Sequence, residues 1–237
     1  MKIVISARQS SAGAIRPLDV AAIICVLGVL AFIALVSANQ WESHALRGRC
    51  ANNLARLGQS LELYAADNHG ELPDCSGADP RYGRVDWPWN IETNLVTELV
   101  AKGVSREMFY CPANPAMNDD RHWNFCRVFG GSSRVIGYGL LFRGTSTVPP
   151  NTWVAKLAGK TTTPSETELG FDATAGIGGD YTRIQGLWTD RSNHMRKLNP
   201  LGGNVLCADA HVEWRDFKHM GIRFRTFGPG GVIDWSY

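Results

Sequence analysis

The run from Leu18 to Asn68 decides the fold: it reads LDVAAIICVLGVLAFIALVSANQWESHALRGRCANNLARLGQSLELYAADN and contains no proline. It predicts one long helix with two different halves. From Val20 to Val36 no side chain is polar, a length near the lower limit of about 17 to 25 residues for a helix that crosses a bilayer. At a rise of about 1.5 Å per residue the whole helix exceeds what a bilayer needs. We therefore expect its second half to leave the membrane and carry a domain.

The second half of this helix is amphipathic, because its apolar side chains recur at steps of three and four residues while charged side chains take the other faces. One face is therefore predicted to pack against the domain. The side chains predicted to be buried are Leu46, Leu54, Leu57, Leu61 and Tyr64. The helix is expected to end near Asp67 to Gly70, where Asn68 and Gly70 favour the left-handed backbone that stops helices.

The composition indicates one globular domain after the helix. The chain has 237 residues, of which 44% are hydrophobic and 19% charged, so it is long enough to bury a sizeable core. Its formal net charge is +2, and no stretch concentrates Lys and Arg. The sequence therefore does not indicate a nucleic-acid partner.

The sequence contains six cysteines, and none forms a C-x-x-C pair that would indicate a zinc ribbon or a thioredoxin-like site. In an exported domain we expect disulfides rather than metal ligation. We predict that Cys111 meets Cys50 and that Cys75 meets Cys126, with Cys207 buried in a strand, although cysteine spacing alone does not determine connectivity.

Charge around the apolar run predicts its orientation. Lys2, Arg8 and Arg16 precede the run without an acidic residue among them, which favours a cytoplasmic N-terminus and an extracytoplasmic domain. Arg47 and Arg49 on the far side reduce the asymmetry. We therefore expect a single-pass membrane protein whose C-terminal domain is extracytoplasmic.

A secretory signal peptide is the alternative reading of the apolar run. Val36-Ser37-Ala38 ends the run with small residues that a signal peptidase could accept. Against this, the run is longer than the usual core of about 7 to 15 residues, and its helical periodicity continues past that point.

The rest of the chain predicts short elements. We expect a long loop over residues 74 to 90, pinned by Trp87 and Trp89, and a glycine-containing loop over residues 176 to 190. Strands that follow a helix, rather than alternating with helices, argue for an α+β fold with an antiparallel sheet. The predicted elements are a helix over Ile91 to Lys102 and strands at Met108 to Pro112, Val135 to Phe142, Trp153 to Leu157, Glu168 to Asp172, Asn204 to Trp214, Phe217 to Phe227 and Val232 to Tyr237.

Three stretches resemble the type IV pilin-like proteins, or pseudopilins, of the planctomycete and verrucomicrobial type. The first is CANNLARLGQSLELYAADN, which begins at Cys50 and precedes Pro73, and the second is FYCP, which begins at Phe109. The third is His194 followed by GGNVLCADAHVEW, which begins at Gly202 and resembles a C-terminal processing-associated segment. The residues that match the family's motifs are Cys50, Asn53, Leu54, Cys111, Pro112, His194, Gly202, Gly203, Asn204, Asp209 and His211.

The resemblance implies a leader over residues 1 to 14, a transmembrane part of the helix over 15 to 38 and an extracytoplasmic pilin-like domain over 39 to 237. It implies a long N-terminal helix packed on an antiparallel sheet. It further implies a non-enzymatic subunit of a type II secretion or type IV pilus-like assembly, whose partners are the membrane, other pilin-like subunits and a prepilin peptidase. The mature N-terminus of such proteins is methylated.

The inner end of the helix departs from the family pattern. Ala14 and Ile15 stand where the family has Gly and Phe around the cleavage point. If cleavage follows Ala14, Asp19 occupies the fifth mature position, where the family has Glu. The resemblance implies that this carboxylate pairs with the N-terminal amine of an adjacent subunit. The alternative is that Asp19 only caps the start of the helix, as Asp does well at N-termini.

The C-terminal motif suggests a rival function. Asp209 and His211 lie two apart in a strand-like run, so they are predicted to share a face with Glu213, and His194 and Asp172 could approach them. A His/Asp/His set accepts divalent metals, which would suit a membrane-anchored metal-dependent hydrolase using His194, Asp209 and His211.

We expect these groups instead to satisfy neighbouring polar groups, so that the protein has no catalytic residue, no cofactor and no metal. Structural calcium stays an alternative, because some secretion pseudopilins bind it in a C-terminal loop. The sequence contains none of the G-x-S-x-G, H-E-x-x-H or phosphate-cradling glycine motifs. A third alternative is an anchored surface-binding module that never polymerises.

Overall fold

The computed structural model describes residues 16–125, 132–141, 143–145, 147–157, 163–182, 184, 191–228 and 230–237. The predicted leader, the predicted cleavage between Ala14 and Ile15, and Cys126 lie outside these residues. The chain divides into two units between Ser43 and His44.

One helix, α1, runs from Pro17 to Asp67 and crosses this division. At its start, the backbone N–H of Arg16 donates to the carboxylate of Asp19 at 3.1 Å, a contact that satisfies a free donor at a helix N-terminus. At its end, His69 and Gly70 take positive φ angles of 56° and 82°, and the N–H of Gly70 reaches back to the carbonyl of Ala65. The predicted helix and its predicted end are confirmed.

In the first unit, α1 exposes apolar side chains on every side. All side chains from Pro17 to Val36 are exposed, and the most apolar 18-residue window of the helix has a mean hydropathy of 2.9 with none of it buried. A core helix of a soluble protein would be mostly buried, so this segment is not one. It is long and apolar enough to span a membrane.

The second unit, His44–Tyr237, has an α+β fold with antiparallel sheets, as predicted. Within the described residues of this unit, the two further α-helices are α2 (Thr93–Ala101) and α3 (Asp120–Trp123). The strands are β1 (Asn90–Glu92), β2 (Ser133–Val135), β3 (Tyr138–Leu140), β4 (Glu168–Asp172), β5 (Ala175–Ile177), β6 (Met195–Arg196), β7 (Asn199–Pro200), β8 (Gly202–Cys207), β9 (Val212–Asp216), β10 (Ile222–Gly228) and β11 (Gly231–Ser236).

The main sheet has four antiparallel strands in the order β3-β4-β8-β9, and a second sheet has the order β10-β11-β5. Two small sheets pair β1 with β2 and β6 with β7. Strand β8 lies at the centre of the main sheet and every one of its residues is buried, including Cys207 as predicted. Such complete burial suits a strand that is covered on both faces.

The buried face of α1 packs against this sheet. Leu54, Leu57, Leu61 and Tyr64 are fully or almost fully buried, as the spacing predicts, whereas Leu46 is only half-buried. Gly58 brings the helix close to the hairpin of β8 and β9, since a Cβ at this position would lie 2.7 Å from Leu206 and 3.1 Å from Ala210.

Aromatic side chains fill the space between the sheets. Phe171 of β4 stacks on Tyr237 with ring centroids 4.1 Å apart, and Trp235 of β11 contacts Trp89 at 4.6 Å. Trp87 stacks on Trp89, which holds the end of the predicted 74–90 loop against the core. These contacts confirm the predicted role of the two loop tryptophans.

Five predicted strands are wrong or only partly right. The predicted strand Val135 to Phe142 contains β3 but meets β2 only at Val135, and the predicted strand Phe217 to Phe227 begins with a 3₁₀ turn, Phe217–His219, before β10. Met108 to Pro112 is a strand in the prediction, but a 3₁₀ turn, Arg106–Phe109, occupies its first part. Trp153 to Leu157 forms isolated bridges at Val154 and Lys156 but no strand. Both runs are short, and short apolar runs do not distinguish a strand from other buried backbone.

Asn204 to Trp214 is not one strand but the hairpin of β8 and β9. Ala210 takes a φ of 61°, and the N–H of Cys207 donates to the carbonyl of His211, which closes the turn. Asp209 and His211 therefore flank a turn and do not lie along one face of a strand.

Candidate functional site

Four buried side chains meet inside the domain: Cys50, Cys111, Asp172 and His194, which we call the buried tetrad. Each offers one potential metal-ligand atom, and these atoms all lie within 4.8 Å of one another. The side chains of Asp172 and His194 are 0% and 3% exposed, and the two cysteines are equally inaccessible. The tetrad is therefore shielded from solvent.

Each member comes from a different part of the fold. Cys50 lies on the buried face of α1, one turn before Leu54. Cys111 follows the Arg106–Phe109 turn, and Asp172 is the last residue of β4. His194 precedes β6 with a φ of 48°, a left-handed conformation that is uncommon for residues other than glycine. The N–H of Leu201 holds this backbone by donating to the carbonyl of His194.

The contacts within the tetrad are short. The thiol of Cys50 donates to Asp172 Oδ1 at 3.0 Å, and His194 Nε2 lies 3.1 Å from Asp172 Oδ2. The same His194 Nε2 lies 3.3 Å from Cys111 Sγ. Cys50 and Cys111 do meet, as predicted, but the structure has both as free thiols, so the predicted disulfide is not formed.

Cys75, the other cysteine predicted to be bridged, is also a free and buried thiol. Its predicted partner, Cys126, lies outside the described residues.

Two asparagines fix the carboxylate of Asp172. The backbone N–H and the side-chain amide of Asn204 donate to Asp172 Oδ2 at 2.8 and 3.0 Å. The amide of Asn193 donates to Asp172 Oδ1 at 3.1 Å and to the carbonyl of Gly137 at 2.7 Å. Both oxygens of the buried carboxylate therefore also accept hydrogen bonds from groups outside the tetrad.

Aromatic side chains complete the surroundings of the tetrad. The hydroxyl of Tyr138 lies 3.4 Å from Cys50 Sγ and donates to the carbonyl of Tyr110 at 3.0 Å. The ring of His194 meets Trp214 edge to face, with centroids 5.1 Å apart. The imidazole is thus held by packing as well as by hydrogen bonds.

The electrostatics favour a charged pair in the tetrad. Burial alone would raise the pKa of Asp172, but His194 and the hydrogen bonds from its neighbours outweigh burial and hold that pKa below its ordinary value. Burial alone would lower the pKa of His194, but the carboxylate of Asp172 outweighs it and raises the pKa to about 10. Without a bound ion the two side chains form an imidazolium–carboxylate pair.

The thiols are poor nucleophiles. Burial raises the pKa of Cys50 well above its ordinary value and the pKa of Cys111 to about 11. The arrangement also differs from a cysteine–histidine–aspartate triad, in which one ring nitrogen faces the thiol and the other faces the carboxylate. Here His194 Nε2 faces both. The tetrad is therefore not arranged for nucleophilic catalysis, whereas its four donor atoms are of the types that bind divalent metals.

The set of His194, Asp209 and His211, which the hydrolase alternative requires, is not assembled. Asp209 and His211 contact each other at the exposed end of the β8–β9 hairpin, with Oδ1 and Nδ1 2.5 Å apart. His194 is buried and pairs with Asp172 instead. Among the described residues, the tetrad is the only place where three or more His, Cys, Asp or Glu donors come together. This arrangement results from the turn at Ala210, which takes Asp209 and His211 out of the strand.

Acidic residues elsewhere in the domain have other contacts. Asp119 accepts from the backbone of His122 and so caps α3, and Asp120 pairs with Arg106. A surface cleft at the end of α1 contains four carboxylates, each beside a Lys or Arg that disfavours a cation there. The pairs are Asp67–Lys102, Glu71–Lys156, Asp74–Arg143 and Asp79–Arg81.

Several family-motif residues surround the tetrad. The amide of Asn53 donates to the carbonyl of Tyr110 at 3.1 Å, which fastens α1 to the segment that carries Cys111 and the half-buried Pro112. Gly203 leaves room for Asp172, whose Cβ would lie 3.0 Å from a Cβ at that glycine.

At Gly202, next to Gly203, φ is 150° and a Cβ would lie 2.1 Å from the carbonyl of Arg215. Both glycines therefore serve close backbone approach in the sheet.

Sequence reasoning gave no role in this site to two residues and placed a third only in part. Asp172 was expected beside His194 but not beside the cysteines, and Asn193 and Tyr138 were not singled out. A usable signal was present, because Cys50, Cys111 and His194 each lie in one of the three motif stretches. Taken together as one set of ligands they indicate a shared site.

Comparisons with family models, curated proteins and solved structures found no match to this chain. The resemblance to pilin-like proteins therefore rests on the quoted sequence motifs. Function has to be inferred from the residues of this chain and their geometry.

Proposed function

We propose that this protein is a non-enzymatic, membrane-anchored, pseudopilin-like subunit of a type II secretion or type IV pilus-like assembly. The observation that carries the proposal is α1 itself, a single 51-residue helix that exposes an uninterrupted apolar run from Val20 to Val36 and forms part of a buried core later. That combination suits a protein that is held in a membrane by the same helix on which its domain is built.

The apolar part of α1 supports the anchor. Water contact with so many aliphatic side chains is unfavourable by about 25 cal/mol per Å² of apolar surface, and a bilayer removes it. Exposure is large at Leu18, Phe32 and Leu35, at 81%, 67% and 67%. Lys2, Arg8 and Arg16 favour a cytoplasmic N-terminus, so we place the protein in the inner membrane with its domain outside.

Asp19 supports an assembly role. A carboxylate at the start of an apolar segment is costly in lipid unless it is paired, so it favours a cationic partner. The contact from Arg16 N–H satisfies one of its oxygens, which is also what a cap would do. We propose that cleavage by a prepilin peptidase between Ala14 and Ile15 creates the N-terminal amine that Asp19 of a neighbouring subunit binds.

The site geometry favours a role without catalysis. The tetrad is closed to solvent, and burial raises the pKa of both thiols. The exposed pair of Asp209 and His211 has no third donor nearby among the described residues. The hydrolase alternative therefore lacks an assembled site.

The first test is the mature N-terminus of the protein, determined by mass spectrometry on the membrane fraction. We expect Ile15 with an N-methyl group. A soluble protein that begins at Asn39 would show ordinary secretion and overturn the proposal. An uncut membrane protein would contradict the processing step and support a plain anchor.

The second test is subunit contact in the membrane. Cys25 is an exposed thiol on the apolar part of α1, so a membrane-permeant bis-maleimide should join neighbouring subunits there. We expect cross-linked oligomers that disappear in Cys25→Ser and decrease in Asp19→Asn, with the membrane-bound fraction unchanged. If cross-links are equally absent from the wild type, the protein is an anchored module that does not polymerise.

A further inference from the structure

We propose that the buried tetrad is a tetrahedral structural zinc site, in which Cys50, Cys111, Asp172 and His194 are the four ligands. The proposal concerns the domain alone and is independent of whether the protein assembles into a filament.

The donor set and its spacing fit zinc. Zinc binds thiolate sulfur at about 2.3 Å, imidazole nitrogen at about 2.0–2.1 Å and carboxylate oxygen at about 2.0–2.2 Å. A tetrahedron with these bond lengths separates its ligand atoms by about 3.3 to 3.8 Å. In the tetrad, His194 Nε2 lies 3.1 Å from Asp172 Oδ2 and 3.3 Å from Cys111 Sγ, while Cys50 Sγ lies 3.0 Å from the other carboxylate oxygen, Oδ1. With one donor atom from each residue, the four atoms all lie within 4.8 Å of one another. Small side-chain shifts therefore suffice to place the four atoms around one ion.

The donors also converge on one point. A single ring nitrogen, His194 Nε2, faces both Asp172 and Cys111. One nitrogen has either one hydrogen or one lone pair to offer, so it cannot bond fully to both neighbours. A zinc ion between these three side chains would accept that lone pair from His194 Nε2 and would bind Asp172 and Cys111 directly.

Zinc explains the whole cluster better than a disulfide does. A Cys50–Cys111 disulfide would use only the two sulfur atoms and leave Asp172 and His194 as a buried ion pair. Such pairs often contribute less to stability than apolar side chains of similar volume, because both charges lose their hydration. A zinc ion instead uses all four side chains and compensates their burial.

The surroundings resemble the outer shell of a metal site. Asn193 and Asn204 hold both oxygens of the Asp172 carboxylate, as outer-shell partners of metal-binding carboxylates do. Trp214 packs against the imidazole ring. The ligand atoms are thereby oriented before an ion binds.

The site is structural, because all four positions belong to protein side chains and the tetrad is buried. It connects α1, the segment after Phe109, the end of β4 and the segment before β6. These segments are far apart in sequence, so an ion that joins them restricts the unfolded chain and adds its binding free energy to folding. The fold of the second unit should therefore depend on zinc.

The test is the metal content of the full-length protein, which is purified in detergent without chelators and analysed by inductively coupled plasma mass spectrometry. We expect about one zinc per chain. Exchange with Co²⁺ should produce the visible absorption of a tetrahedral cobalt site with a thiolate-to-metal charge-transfer band. Cys111→Ser and His194→Gln should lose the metal and the band. Cys207→Ser is the matched control, since it removes a buried thiol of β8 outside the tetrad and should retain both.

A second measurement covers variants that fail to fold. A chelator added to the wild-type protein should lower its unfolding temperature, and Zn²⁺, but not Mg²⁺, should restore it. The proposal is overturned if the wild-type protein neither retains nor takes up zinc and its unfolding temperature is the same with chelator and with Zn²⁺. A Cys50–Cys111 disulfide in a non-reducing peptide map of the same preparation would also overturn it.

Discussion

Two parts of the same helix, Pro17–Val36 and Cys50–Ala65, have opposite relations to their surroundings. The first is exposed throughout and, from Val20 onward, apolar on all sides. The second buries one face, from Cys50 to Ala65, and exposes the other, including Leu63 at 53%. The sequence therefore specifies helix formation and the surroundings of the helix separately. A helix that is apolar on all sides suits lipid, whereas an apolar stripe on one side of a helix suits a protein core.

The largest effect is expected from Leu57→Ala in the buried part of α1. Leu57 is fully buried, so the truncation should lower the free energy of unfolding of the domain by about 2–5 kcal/mol, through lost transfer energy and a cavity. Urea unfolding in detergent measures it. Leu63→Ala, on the exposed side of the same turns, is the control and should change it by less than about 0.5 kcal/mol. Equal effects at the two positions would contradict the burial pattern.

The corresponding substitution in the apolar part of α1 is Leu27→Arg, which tests membrane insertion. A charge near the middle of the run should make membrane insertion less favourable by about 2.5–3.5 kcal/mol, because arginine loses its hydration in lipid. Fractionation should show protein moving from the membrane to the soluble or degraded pool. Leu27→Phe is the control and should remain in the membrane. An unchanged membrane fraction in Leu27→Arg would show that this segment is not the anchor.

Asn193→Ala tests the buried tetrad, which α1 joins through Cys50. The substitution removes the donor to Asp172 Oδ1 and should weaken zinc binding by about 10- to 100-fold without abolishing it. Competition with a chromogenic zinc chelator measures the affinity. Asn114→Ala removes a buried amide that bonds to the carbonyl of Arg191 instead, and zinc affinity should stay unchanged. Equal loss in both variants would mean that Asn193 supports only the fold.

A matched pair of glycines gives the smallest effect. Gly58→Ala places a methyl group 2.7 Å from Leu206, which should destabilise the domain by about 1 kcal/mol after the gain in helix propensity is subtracted. Gly28→Ala meets no atom within 4 Å and should leave the domain's unfolding midpoint unchanged. If Gly58→Ala were stabilising, α1 would have to sit further from the β8–β9 hairpin than the structure places it.

Much of the helix could be predicted from sequence because its signals are local. Spacing alone identified the buried face of Leu54, Leu57, Leu61 and Tyr64, and Asn68 and Gly70 marked the end of α1. The strand Glu168–Asp172 was also predicted with its observed bounds.

The hairpin within Asn204 to Trp214 was missed, because its turn uses Ala210 at positive φ and not a glycine. Nothing in the local sequence announces a left-handed alanine.

The candidate site was predictable only in parts. Cys50 and Cys111 were expected to meet, and His194 was expected to have polar partners. Asp172 was not connected to the cysteines, because it reaches them through the pairing of β4 with β3 and β8 rather than through any motif. Spacing along the chain carries no information about contacts between residues 50, 111, 172 and 194.

The sequence by itself determined a long helix with an apolar first part, an amphipathic second part and an antiparallel α+β domain, because hydrophobic periodicity reports how each residue is oriented within its own element. Only the tertiary structure decided that two thiols, an imidazole and a carboxylate share one buried point, and that Asp209 and His211 stand apart at an exposed turn. Such groupings depend on how strands pair and how α1 packs on them, and those contacts join residues as far apart in sequence as Cys50 and Asp172.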